Sequence, residues 1–405
     1  MSLTKNYNGY QSFQYLEKDK DYKAFELAKE VDRVNSTKVS LNEEQEKLVE
    51  KIIKDHVLIS VHEHLGVFPK DIMQTPAYIK EGRMATGFKG LAKGHWDCVF
   101  DNLMNGVCQI HSKGGWKWSE VTHDLGMRLC DIAHQDFVIH CKTVDDIYRA
   151  HREGKVAWVA VMEGAMMIEN ELDRLDLLYG FGLRSIGITY SESNALGSGL
   201  KETRDGGLTQ FGKRAVERMN KLGLLIDVSH CGDQTALDTI EHSTKPIIVS
   251  HIGAKALWDS NRMAPDEVFK ACADKGGVIG IEAAPHTTLT PNHRDQHNLD
   301  AVMEHFEYVK NLVGIDHVTL GPDTLYGDHV GLHTAYTAAL SLKASKGVGK
   351  PGMEYTPVEF VDGLENPTEG SYNIIRWLVK HNYSEKDIAK IMGKNTLRLL
   401  KEVWV

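Results

Sequence analysis

The chain has 405 residues, enough for one large α/β domain or two medium ones, and its 42% hydrophobic and 25% charged content is that of an ordinary globular protein. A formal net charge of −9, with no Lys/Arg-rich block, argues against a nucleic-acid partner. No apolar run approaches the roughly 18 residues needed to span a bilayer, and the polar N-terminus MSLTKNYNGY lacks a signal-peptide core, so no membrane association is expected.

Along the chain, residues 1–55 read as an N-terminal helical extension packed on the domain formed by the remaining residues. DYKAFELAKEVDRV (21–34) has a helical pattern, and Ser40-Leu41-Asn42-Glu43 has the form of a capping box that opens a second helix. The apolar strand VLISVHEH (57–64) then ends in two histidines one position apart. Side chains at i and i+2 of a strand share a face, so His62 and His64 project together. Such a pair is accident, a structural polar cap, or half of a metal site.

From there short apolar runs alternate with amphipathic helices, the signature of βα units around a parallel sheet. GVCQIHS (106–112) is the second candidate strand. KVAWVAVMEG ends near Glu163, SIGITY at Tyr190, LLIDVSH at His230 and PIIVSH at His251. VIGIEAA and HVTLGPD, the latter ending at Asp323, complete about eight strands, the number that closes a (β/α)8 TIM-type barrel. Residues 56–405 are thus expected to form one catalytic barrel domain, with three helical stretches in its C-terminal tail. Two long connections, 65–105 and 326–370, leave the C-terminal face on which barrel enzymes build their sites.

His62, His64, Glu163, Tyr190, His230, His251 and Asp323 all fall at strand C-termini, which a barrel gathers around one mouth. Imidazole and carboxylate donors suit Zn²⁺, Mn²⁺ or Fe²⁺ rather than Mg²⁺ or Ca²⁺. A carboxylate between two histidine clusters can bridge two ions, which would acidify a shared water and polarise a carbonyl. A last-strand aspartate beside that water would carry its proton. Taken singly, each residue has a plainer reading: a hydrogen-bonded histidine, a solvated Glu before Gly, an Asp capping a turn. The recurrence of VSH as DVSH and IVSH on consecutive strands favours the joint reading. Arg262, in WDSNRM, fits a bidentate carboxylate grip or a surface cation. His95, Asp97, His329 and His333 lie in the long loops, where ligation and solvation fit equally, and Cys231 reads as packing.

The stretch from Val57 to the C-terminus resembles the renal (membrane) dipeptidase family of zinc metallopeptidases in the amidohydrolase superfamily. The resemblance is most specific over GGLTQFGKRAVERMNKLGLLIDVSHCGDQTALDTIEHSTKPIIVSHIGAKALWDSNRMAPDEVFKACADKGGVIGI, and VMEGAMMIENELDRLDLLYGFGLRSIGITY and GIDHVTLGPD match as well. It implies two zinc ions bridged by Glu163, with His62, His230 and His251 as ligands. Asp323 is implied as catalytic acid/base and Arg262 as the grip on a terminal carboxylate. It further implies a small-molecule dipeptide substrate, often with a D-residue on the C-terminal side, and a homodimer or higher homo-oligomer.

Two positions depart from the family pattern. His64 stands where the family usually has aspartate, which removes a negative charge from one metal's surroundings. Tyr190 stands where a substrate-contacting histidine is common, and can donate a hydrogen bond to an oxyanion without carrying an imidazolium's charge. The expected activity is hydrolysis of an amide bond in a dipeptide or related carboxylate-bearing molecule. The alternatives are a lactone, a cyclic amide or an N-acyl amino acid as substrate, a metal-dependent decarboxylase, or a binding relative without catalysis. Six scattered cysteines without CxxC pairing suggest free thiols in a cytoplasmic protein.

Overall fold

In the computed structural model, which describes residues 5–103, 116–339 and 354–405, ten strands join one parallel sheet. They are β1 (Ile59–Val67), β2 (Cys98–Asn102), β3 (Val138–His140), β4 (Val156–Met162), β5 (Leu183–Gly187), β6 (Leu225–Asp227), β7 (Ile248–Ile252), β8 (Val278–Ile281), β9 (Val318–Leu320) and β10 (Leu325–Tyr326). The order is β10-β1-β2-β4-β5-β6-β7-β8-β9, with β3 alongside the first half of β4. β9 and β10 are two halves of one bent stretch of chain. The first half pairs with β8 and the second with β1, so the sheet closes into a barrel of eight staves.

β1, β4 and β5 are buried along their whole length, which is why they read as continuous apolar runs rather than alternating ones. The intervening helices show the expected amphipathic pattern. In Gln210–Leu222, Thr209 caps the first turn by accepting from Gly212 N, and Ala215, Val216 and Met219 are buried. Among the described residues the C-terminal tail holds three helical segments: Pro367–Lys380, Glu385–Ala389 running into a π-turn, and Asn395–Val403.

The structure corrects four sequence expectations. The second stave is Cys98–Asn102, inside the stretch read as a long connection, whereas GVCQIHS falls outside the described residues. The two long connections also hold helices, at Thr75–Lys80, Phe88–Lys93 and His329–Ala339. Residues 21–34 are not helical. Ala28 N donates to Phe68 O at 2.9 Å and Lys70 N to Glu26 O at 2.9 Å, so the segment runs extended beside the end of β1. Phe25 and Leu27 there pack on Phe68 and Tyr78, and this lateral pairing supplants a local helix. Finally, the helix Glu43–Asp55 is capped by Asn42 with Gln45, two positions beyond the expected box. Its buried Val49 and Ile52 face inward, and Glu46 accepts from Arg376 Nη2 at 2.7 Å.

Candidate metal centre

β4 ends at Met162, and the next residue, Glu163, is carried to the barrel mouth. Gly187 on β5 permits this close approach, because a Cβ there would lie 1.9 Å from Glu163 O. Glu163 divides its two oxygens between two pairs of imidazoles. Oε1 lies 3.6 Å from His62 Nε2 and 3.6 Å from His64 Nε2. Oε2 lies 3.0 Å from His230 Nε2 and 3.6 Å from His251 Nε2. The Nε2 atoms of His230 and His251 are themselves 2.9 Å apart.

Asp323, at the bend between β9 and β10, adds a second carboxylate. Its Oδ1 is 3.0 Å from His64 Nε2 and 3.5 Å from His62 Nε2. Its φ of 58° is in the left-handed region, which costs a non-glycine residue of order 1 kcal/mol or more. β1 holds it there: Asp323 N donates to His62 O at 3.1 Å and His64 N to Thr324 O at 2.9 Å. Glu63, on the opposite face of the strand from the two histidines, accepts from Thr324 N at 3.0 Å and Thr324 Oγ1 at 2.6 Å.

The electrostatics suit a cation. Burial opposes ionisation of Glu163, yet His230, His251 and His62 outweigh it and hold the carboxyl well below its ordinary range. Asp323 is likewise held low, with His62 and His64 overcoming burial. Burial lowers His62 and His64, but the neighbouring carboxylates reverse this and hold His62 up at about 10. Burial and the nearby His62 hold His251 neutral, leaving a lone pair for ligation. His62 Nε2 and Glu163 Oε1 are buried with no hydrogen-bond partner. Among the described residues, three groups can hold an ion, each with ligand atoms within 4.8 Å of one another, and all are drawn from His62, His64, Glu163, His230, His251 and Asp323. A metal ion fits this donor set, its positive charge replacing the one that the carboxylates favour on His62 and His64.

Tyr190 lies three residues past β5, its ring 4.3 Å from that of His230. Burial, then Glu163 and Asp323, push its hydroxyl up, so it stays protonated. Arg262 is buried beneath the second histidine pair, donating to His251 O at 3.0 Å and Ser229 O at 3.2 Å. It also forms an ion pair with Glu282, the residue after β8. Asp97 sits at the far end of the barrel, before β2, where it binds Lys5 Nζ at 2.5 Å, His151 Nδ1 at 2.9 Å and Leu58 N at 3.0 Å. His95 packs near Tyr372, and His329 and His333 pack on each other; none of these belongs to a metal-capable group among the described residues. Cys231 is buried in the apolar core.

Sequence reasoning missed the support behind the histidines. Asp227 accepts from Ser250 Oγ at 2.5 Å and Ser229 Oγ at 2.6 Å. Ser250 Oγ also meets His251 Nδ1 at 2.8 Å and His62 Nδ1 at 3.4 Å. Since the hydroxyl's single proton goes to Asp227, the His251 ring must supply the proton in its own contact. That fixes the tautomer with Nε2 bare toward the site. The repeated VSH with a preceding aspartate was the available signal. Glu63 and Glu282 were missed too, although one lies between the paired histidines and the other directly follows β8.

A family model described as Membrane dipeptidase (Peptidase family M19) matches residues 46–336. An uncharacterized protein from the pqqA 5′ region of Klebsiella pneumoniae is 29% identical over 276 residues, covering 65% of this chain and 88% of its own length. Dipeptidase tcpJ of Claviceps purpurea is 27% identical over 282 residues; the match spans 69% of this chain and 58% of that protein. The crystal structure of an amidohydrolase from Pseudomonas aeruginosa shares the fold at a TM-score of 0.69 and 23% identity, over 88% of this chain and 99% of that one.

Proposed function

The chain belongs to the membrane dipeptidase family, peptidase family M19, and from that premise we propose how its site holds metal and cleaves an amide bond. The protein is a metal-dependent, dipeptidase-like amidohydrolase. His62, His64 and Glu163 would hold one ion, and Glu163, His230 and His251 a second. The division of Glu163 between two histidine pairs carries this reading. Four imidazoles favour Zn²⁺, with Mn²⁺ or Fe²⁺ as the alternatives.

Bound divalent ions supply a Lewis acid for the scissile carbonyl and acidify the attacking water. Asp323, kept anionic beside His62 and His64, accepts the water's proton and delivers it to the leaving nitrogen. Tyr190 keeps its proton and donates a hydrogen bond to the developing oxyanion. Arg262, beneath His230 and His251, addresses the far end of the substrate.

The test is metal analysis of the protein as purified, alongside assays on a dipeptide library. We expect two transition-metal equivalents per chain, loss of hydrolysis on chelation and recovery on adding Zn²⁺. Activity that survives complete metal removal would overturn the reading.

All five cysteines among the described residues are free thiols, which supports a cytoplasmic location, and no described helix is long and apolar enough to cross a membrane. Residues 1–55 serve as an extension bound to the barrel domain of 56–405: Tyr10 Oη donates to Asp131 at 2.8 Å and Ser12 Oγ to the same carboxylate at 2.6 Å. A homodimer or higher homo-oligomer is the assembly we assign, and sedimentation equilibrium checks it.

A further inference from the structure

Arg262 already has a carboxylate. Its guanidinium pairs with Glu282, and the two side chains are 4% and 0% exposed. Two further donor contacts, to His251 O and Ser229 O, fix the guanidinium against the main chain that carries the second histidine pair. The pair belongs to the same mouth as the metal ligands. Glu282 follows β8 directly, its N–H donates to Ile252 O at the end of β7, and Asp323 and His62 are among the charges that act on it. Arg262 in turn acts on Tyr190 and His251.

A substrate with a free carboxylate that sought this arginine would meet a competitor covalently fixed in place. Displacing Glu282 would strand a fully buried carboxylate without its partner, a heavily penalised outcome. The obstruction is electrostatic: the Glu282 carboxylate repels a second carboxylate from that guanidinium, and an amide in its place would not. The pair instead leaves that wall of the mouth with little net charge, suited to an uncharged amide, ester or ring carbonyl.

We propose that Glu282 stands in for the substrate's terminal carboxylate on Arg262, so that this enzyme prefers dipeptide-like amides whose acid end is masked over those with a free carboxylate. The shared chemistry is an uncharged carbonyl group on the leaving-amine side, whether a primary amide, an ester or a lactam. The inference rests on the amidohydrolase reading and names the substrate class of the same site.

The experiment uses Zn²⁺-loaded full-length protein and matched pairs of dipeptides and their C-terminal amides, with L- and D-residues on the C-terminal side. Methyl esters and cyclic dipeptides distinguish among the masked forms. Wild type should cleave the masked member of a pair with kcat/KM at least tenfold above its free-acid twin. Glu282→Gln should move that ratio at least tenfold toward the free acid, chiefly through KM. A wild-type preference for free acids overturns the inference while leaving the amidohydrolase reading intact, and so does an unchanged ratio in a folded Glu282→Gln. If no member of any pair is cleaved, both fall. Should Glu282→Gln fail to fold, the wild-type ratio decides alone.

Discussion

His64 Nε2 lies 3.0 Å from Asp323 Oδ1, closer than it lies to Glu163. The second histidine of the HEH motif therefore contacts both the carboxylate proposed to bridge and the one proposed to carry the proton. Asp323 is held by main-chain bonds to β1 in a left-handed conformation, so replacing its carboxylate with an amide leaves those bonds in place. Asp323→Asn should lower kcat by about 10²–10⁴-fold, the usual range for loss of a general acid/base, with metal content and melting temperature little changed. Kinetics beside metal analysis on one preparation checks this. A variant at wild-type rate would remove Asp323 from the mechanism.

Glu163→Gln tests the bridge. An amide retains one carbonyl oxygen but loses the charge that faces two pairs of imidazoles, and its nitrogen would point at one of them. We expect at most one ion per chain instead of two, measured by elemental analysis after gel filtration, with hydrolysis lost. Two tightly held ions in the variant would show that Glu163 does not bridge.

Ser250→Ala tests the support behind the ligands. The Ser250 hydroxyl links Asp227 to His251 and His62, and its loss frees the His251 ring to rotate and change tautomer. Changes in such supporting hydrogen bonds typically cost about 10–100-fold in metal affinity. Competition with a fluorescent zinc chelator should show a loss in that range. Unchanged affinity would mean that the ring is oriented by packing alone, including its 3.5 Å stack on His62.

The parts of this site that were legible in the sequence share one property: each ligand ends an apolar run. His62 and His251 end apolar runs inside β1 and β7, Glu163 and His230 come just after β4 and β6, and barrel closure does the rest. β2 was illegible because its own residues break the pattern. Asp101 is fully buried, yet it accepts from Leu65 N at 2.9 Å and Trp158 Nε1 at 2.7 Å and pairs with Arg128 at 3.4 Å. Those partners offset its burial but lie far away in sequence, where no local pattern reveals them. The same holds for Glu63, whose partner Thr324 lies 261 residues away in the last stave, and for Asp227 beneath the VSH serines. Residues 21–34 failed for the opposite reason: a helical pattern existed, and pairing with Phe68 and Lys70 overrode it.

Stability should fall with acid through histidines outside the metal centre. His305 Nδ1 accepts from Ala254 N at 2.8 Å, so its proton lies on Nε2, which donates to Leu289 O at 2.8 Å. His297 Nδ1 accepts from His286 N at 2.9 Å in the same manner. Both rings must be neutral to make these bonds. Burial, the main cause, pulls His305 down to about 4 and His297 to about 3, the latter helped by neighbouring histidines. The unfolded chain begins to bind protons near the ordinary imidazole value of 6.5, while the folded chain refuses them until pH 4 or below. Their contribution is thus complete above that ordinary value. It falls by about 1.4 kcal/mol per pH unit for each ring as the pH drops toward the folded values. His305→Asn keeps an acceptor for Ala254 N without a titrating ring. Below pH 6 its unfolding free energy in urea should fall less steeply with acid than that of wild type, by about one proton's worth of slope. Measuring the difference between the two proteins at equal zinc cancels the metal centre's own pH dependence. Parallel curves would show that His305 is not the group whose protonation destabilises the fold.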